Sequence, residues 1–187
     1  MTTVRQSYLP LVLVALAMGC DSASRSKQVD FEKRNLTVAA GDFTQRFLAT
    51  TGDSVALFDG TSRITLIHIG AAACQLCRTS LPVLYKVRSA YPDSLLRTVV
   101  VAMDPLEDQA RVQAFAGDVG ANAVVLHDPE QRLLQIVNLL GTPAMVIIDR
   151  SGRQFRVYQG VGTSLSSRVL AGADSAIRLA TSGTPPA

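Results

Sequence analysis

The run RITLIHIG at 63–70 constrains the fold most. It is apolar and β-branched without interruption, the composition of a strand covered on both faces. A chain with such a strand needs a layer above it and a layer below. LLRTVVVAM at 95–103 repeats the demand. Between the two, in QLCRTSLPVLYKVRSAY (75–91), Cys77, Leu81, Leu84 and Val87 recur at steps of three or four while Arg78 and Lys86 can face water, which predicts a helix. SVALF (54–58) reads as a short strand, LEDQARVQAFAGDVG (106–120) as an amphipathic helix closed by glycine, and NAVVLH (122–127) as a strand. DPEQRLLQIVNLLG (128–141) reads as a helix with Asp128 as N-cap and Pro129 in its first position. PAMVIID (143–149) and QFRVYQG (154–160) flank the turn RSGR and should pair as a hairpin, before a closing helix SLSSRVLAGADSAIRLA (164–180). The order β-β-α-β-α-β-α-β-β-α predicts an α/β domain with a mainly parallel sheet, helices on both faces and an antiparallel edge.

The 187 residues are 48% hydrophobic and 18% charged, enough for one packed core and too apolar for wholesale disorder. The net charge is only +3, without a dense Lys/Arg cluster or an aromatic-basic stripe, so nucleic acid is not an expected partner. LPLVLVALAMG (9–19) follows Arg5 and is too short for a bilayer span of about 20 residues; it suits a signal peptide. The run ends at Cys20, which resembles the cleavage and lipidation site of bacterial lipoproteins, although Leu16 lies one residue further from the cysteine than that signal usually has it. Ordinary cleavage after ALA (15–17) is the alternative. Asp21 resembles the signal that keeps lipoproteins at the inner membrane. The expected organisation is a signal peptide at 1–19, a lipidated Cys20 with a Ser-rich tether to residue 35, a domain at 36–181 and a disordered tail at 182–187.

Cys74 and Cys77 lie three apart where the apolar strand gives way to the helix. At that spacing they share one helix face about 4.5 Å apart along the axis, within reach of a disulfide. The helix N-terminus favours a thiolate on Cys74, while Cys77, one turn in, would be shielded and act as the resolving thiol. A purely structural bond would close too short a loop to stabilise much. Zinc would need about four ligands, and there is no second C-x-x-C, so no metal is expected.

TLIHIGAAACQLCRTSLPVL, with Pro82 eight residues after Cys74, resembles the thioredoxin-fold proteins, most closely the membrane-anchored TlpA/ResA-like thiol-disulfide oxidoreductases, over about residues 42–180. The resemblance implies a thioredoxin-like fold with a central mixed β-sheet and helices on both faces. It implies an enzyme of the cell envelope that reduces protein disulfides through Cys74 and Cys77, with no cofactor beyond that redox-active pair. Its partners would be protein disulfides, a membrane thiol electron donor and the membrane itself through the lipid anchor, on the periplasmic face of the inner membrane or else soluble in the periplasm. GTP before a strand matches the family's cis-proline loop, so Thr142–Pro143 would be cis and bind substrate backbone. The chain departs from the pattern in having Ala73 where a tryptophan is usual and Gln75–Leu76 between the cysteines.

His68, six residues before Cys74, stands where thioredoxin has a buried acid and could move protons for Cys77; a packed polar residue is the alternative. His127 reads as a surface or capping residue and Arg78 as a solvated helix-face cation. A non-catalytic binding module with a permanent disulfide, a copper chaperone and a peroxiredoxin-like peroxidase are the other readings. The copper reading lacks the C-x-x-x-C spacing, and the peroxidase reading lacks the Thr and Pro expected before Cys74.

Overall fold

The computed structural model describes residues 43, 45–120 and 123–182. The expected leader, Cys20 and the tether lie outside the described residues, as does the tail from 183. Strands β1 (Arg46–Ala49), β2 (Ser54–Ala56), β3 (Ile64–Gly70), β4 (Leu96–Ala102), β5 (Val124–His127), β6 (Ala144–Asp149) and β7 (Gln154–Gln159) form one sheet in the order β2-β1-β5-β4-β3-β6-β7. The helices are α1 (Gln75–Arg88), α2 (Gln109–Val119), α3 (Arg132–Ile136) and α4 (Leu165–Ser182).

The two apolar runs form the centre. β3 and β4 are parallel, with Ile64 opposite Leu96 and Gly70 opposite Ala102, and every residue of β3 is buried. On one face Ile64 and Leu66 join Leu81 and Leu84 of α1, Phe115 of α2 and Val169 of α4. On the other, Ile67 and Ile69 meet Phe43, Phe47, Leu57 and Leu133 of α3. Both faces are therefore dry, and each large side chain moved out of water there contributes about 1.5–3 kcal/mol, which is why the run has no polar alternation. On α1 the buried stripe is Cys77, Ser80, Leu81, Leu84 and Val87, while Pro82 sits on the exposed side and forgoes the helical bond to the Arg78 carbonyl.

Three expectations change. The sheet is mixed, as the resemblance implied, rather than mainly parallel as the element order suggested: only β3–β4 and β4–β5 are parallel, and the other four pairings are antiparallel. Part of the reason is β1, absent from the sequence reading, whose four residues alternate exposed and buried over too short a stretch to stand out. The helix expected over 128–141 contracts to α3, because Gln131 adopts a left-handed conformation (φ 55°) immediately before it. Asp128 is therefore not the N-cap residue, yet its buried carboxylate accepts the Leu133 amide at 2.8 Å and so caps the turn from upstream. The helix expected from 106 begins as a 3-10 turn at Leu106–Asp108 and becomes α2 at Gln109.

Register fixes where the functional edge lies. Gly70 is opposite Ala102, Ala102 is opposite His127, and Ile69 is opposite Ala144. The segments that follow β3 and β4 and the one that precedes β6 consequently meet at one edge of the sheet.

Candidate active site

Cys74 opens α1 from an extended conformation, and its Sγ accepts the Cys77 amide at 3.1 Å. A free amide of the helix's first turn thus points at this sulfur. Cys74 and Cys77 form a disulfide with their Cα atoms 5.2 Å apart. Cys77 is fully buried and Cys74 half-buried, so only one sulfur lies toward the surface.

The loop before Cys74 hangs on Asp104, a residue the sequence reading did not single out. Asp104 is 1% exposed; its Oδ2 accepts the Ala72 amide at 2.6 Å and its Oδ1 the Ala73 amide at 3.0 Å. The available signal was position: Asp104 stands just past a buried parallel strand, at the carboxyl edge where open α/β sheets gather their sites. His127, expected at the surface, is buried, and its Nε2–H donates to the Asp104 backbone carbonyl at 2.8 Å. Arg78 is also less free than expected. Its Nε donates to the Ala72 carbonyl at 3.0 Å, its guanidinium lies 5.4 Å from the Phe115 ring centre, and it pairs with Asp118 at 3.0 Å.

His68 lies on the side of the other cysteine. The ring is fully buried, with Nε2 2.7 Å from Ser80 Oγ, and the same hydroxyl donates to the Cys77 carbonyl at 2.7 Å. Nδ1 has no hydrogen-bond partner. Burial pushes the imidazole down to about 4, a trend the Cys77 carbonyl only partly opposes. Gly70 permits this packing: a Cβ there would lie 2.9 Å from Cys77 Cβ, 3.0 Å from His68 Cε1 and 3.2 Å from Cys77 Sγ. Imidazole and sulfur thus both crowd the space over a bare Cα.

The Thr142–Pro143 peptide is cis. Since Ala144 pairs with Ile69, Pro143 comes level with Gly70, at the start of the cysteine loop. Its carbonyl accepts the Gly160 amide at 2.8 Å, and Gln159 Nε2 donates to the Gly141 carbonyl at 3.2 Å. The structure therefore brings Cys74, Cys77, His68 and the Thr142–Pro143 loop to one edge. Cys20 lies outside the described residues. Among the described residues no group of three or more His, Cys, Asp or Glu side chains is arranged to hold a metal ion.

No family model matches the chain, and no curated protein matches it. Solved structures do. A candidate thiol:disulfide interchange protein DsbE from Chlorobium tepidum superposes with a TM-score of 0.61 at 23% identity, over 71% of this chain and 92% of that one. The dsbF protein of Mycobacterium tuberculosis gives 0.60 at 18% identity, over 75% and 99%. A secreted Mycobacterium tuberculosis disulfide oxidoreductase homologous to E. coli DsbE gives 0.59 at 16% identity, over 73% and 99%. At these identities the likeness concerns architecture alone: the chain has a thioredoxin-like fold, and its own C-x-x-C disulfide stands at the start of α1.

Proposed function

We propose that the protein is a thiol-disulfide oxidoreductase of the bacterial cell envelope that reduces protein disulfides through Cys74 and Cys77. One observation carries this: the two joined sulfurs are unequal, Cys74 toward the surface at a helix start and Cys77 sealed beneath it. In the reduced protein Cys74 thiolate attacks one sulfur of a substrate disulfide, forming a mixed disulfide and expelling the other sulfur as a thiolate. Cys77 then loses its proton and attacks Cys74 Sγ, re-forming the internal bond and releasing the second substrate sulfur. Two electrons pass from the cysteine pair to the substrate, and both substrate sulfurs leave as thiols after protonation. His68, whose ring borders Gly70 as Cys77 does, would receive the Cys77 proton. With the imidazole held near 4, the imidazolium is a passing state, and the proton moves on to the departing sulfur. The backbone at Thr142–Pro143 would align the substrate chain beside Cys74.

No organic or metal cofactor is required, because the two sulfurs carry both electrons. A membrane thiol donor would restore the dithiol. The apolar run before Cys20 supports lipid anchoring on the periplasmic face of the inner membrane, and the secreted disulfide oxidoreductase of the same fold supports an extracytoplasmic place of work.

Insulin reduction with dithiothreitol tests the activity. Wild type should accelerate precipitation, Cys74→Ser should run at the uncatalysed rate, and Cys77→Ser should accumulate mixed disulfide. Equal rates for wild type and Cys74→Ser would instead identify a binding module whose disulfide never opens. Metabolic labelling with a fatty acid, lost in Cys20→Ala, tests the anchor separately.

A further inference from the structure

The hydroxyl of Ser80 has one proton and two neighbours at 2.7 Å, the Cys77 carbonyl and His68 Nε2. A carbonyl only accepts. Two oxygens at 2.7 Å with no hydrogen between them would repel, so the hydroxyl proton lies toward Cys77 O. Ser80 Oγ must then accept from His68, which places the ring proton on Nε2. The second imidazole nitrogen, Nδ1, is left as a bare lone pair, buried and without a donor. A buried acceptor of this kind is destabilised relative to a satisfied one. Cys77 Sγ and the ring carbon Cε1, which is bonded to Nδ1, both lie over Gly70, 3.2 and 3.0 Å from where a Cβ would stand, and in the disulfide that sulfur has no proton to give.

We infer that Ser80 is a positioning residue: it locks His68 in the Nε2–H tautomer, so that Nδ1 accepts a hydrogen bond from the Cys77 thiol that appears only when the disulfide opens. The inference rests on the thiol-disulfide cycle proposed above and adds its energetic bias. The reduced protein satisfies Nδ1 and the oxidised protein leaves it orphaned, so this contact favours the dithiol and makes the disulfide the stronger oxidant. The same bond aims the S–H at the base that must take its proton. The residues placed beside His68 are neutral: Ser80 and Cys77 on α1, Gly70 on β3 itself, and its register partners Val100 on β4 and Met145 on β6.

Nitrogen-15 NMR of the two histidines tests this on the full chain, first oxidised and then opened with excess phosphine reductant. The oxidised protein should show His68 protonated on Nε2 with a bare Nδ1. Reduction should move the His68 Nδ1 signal in the direction of hydrogen-bond acceptance and leave His127 in place. Ser80→Ala should mix the two tautomers and lower the reduced-to-oxidised ratio in a glutathione buffer about tenfold, about 30 mV for a two-electron couple. Ser80→Thr, which keeps a hydroxyl, should restore the fixed tautomer. A His68 proton on Nδ1 in the oxidised protein, or an Nδ1 signal indifferent to reduction, overturns the inference. Phosphine opens the bond whether or not the protein is an enzyme. A protein inert toward insulin whose Nδ1 signal still moves would sink the oxidoreductase reading and support this one.

Discussion

Cys74 and Cys77 are three residues apart in sequence and joined to each other, yet their surroundings share almost nothing. Cys74 follows a loop whose amides are gripped by a carboxylate, Asp104, with Arg78 against the Ala72 carbonyl. Charge is plentiful there and one sulfur lies toward solvent. Cys77 is fully buried, with Gly70 and the His68 ring close by and the Ser80 hydroxyl on its carbonyl. On the first side the first-turn amide favours an anion on a sulfur that can react, while the Asp104 charge opposes it. On the second side burial disfavours any ion. Under the proposed cycle this difference in surroundings would make one sulfur the attacker and the other the resolver, although the residue type is the same.

The largest expected effect probes the dry side. His68 sits near 4 in the folded protein and at its ordinary 6.5 when unfolded. Between those values the unfolded chain binds a proton that the folded chain refuses, so stability is full above pH 6.5 and falls as pH drops to about 4. At about 1.4 kcal/mol per unit the loss is about 3 kcal/mol. Burial alone would raise the carboxyls of Asp59 and Asp149, but hydrogen bonds led by those from Thr61 and Ser151 more than reverse it. Their own losses therefore come below pH 3.8, outside the histidine window. Urea unfolding at pH 7, 5.5 and 4 should trace this slope in wild type and a much flatter one in His68→Leu. The same slope in both proteins would mean that the pocket around Cys77 is wetter than described.

The next effect probes the charged side. Asp104→Ala leaves the Ala72 and Ala73 amides without their acceptor and should cost about 2 kcal/mol, less than two buried donors would, because Ala73 is exposed and can recruit water. Asp104→Asn keeps an acceptor and should cost less. It also removes a negative charge one residue from Cys74, so the reduced variant should alkylate faster at Cys74 near pH 6, with Cys77 unchanged. Equal acceleration at both cysteines would erase the proposed division between the two sulfurs.

What the sequence made legible follows the same line. The β3 and β4 runs, the helix carrying the cysteine pair and the terminal hairpin could be read because each is local, a period or a spacing, whereas the cis Thr142–Pro143 peptide came from the resemblance to the family's cis-proline loop. Asp104 and Ser80 could not. Asp104 acts across 32 residues on Ala72, and the contact exists only because β3 and β4 end side by side. Ser80 looks like one more small polar residue on a helix until α1 is laid on the sheet and its hydroxyl falls between His68 and the Cys77 carbonyl. β1 escaped notice because four residues of alternating burial make a pattern too short to weigh, and α3 was overdrawn because a left-handed Gln131 leaves no compositional mark. Long-range contacts and unusual backbone torsions are set by the assembled sheet, and local composition does not encode them.

The smallest effect tests whether the Cys74 loop is held from below or from the surface. Arg78 makes three contacts: the Ala72 carbonyl, the Phe115 ring and the Asp118 carboxylate. Only the last is an ion pair, and its partners are 38% and 61% exposed. Water and salt screen such a pair, and ordering two flexible side chains offsets most of the attraction, leaving about 0.5 kcal/mol. Asp118→Asn should therefore shift the urea midpoint barely at all, and less still in high salt, with the rate of insulin reduction unchanged. Arg78 would keep its place through the carbonyl and the ring, and Asp104 would still hold the Ala72 and Ala73 amides. A drop in rate comparable to that of Asp104→Ala would show instead that the loop's shape depends on the surface ion pair, and the charged side would then have two anchors rather than the single buried carboxylate.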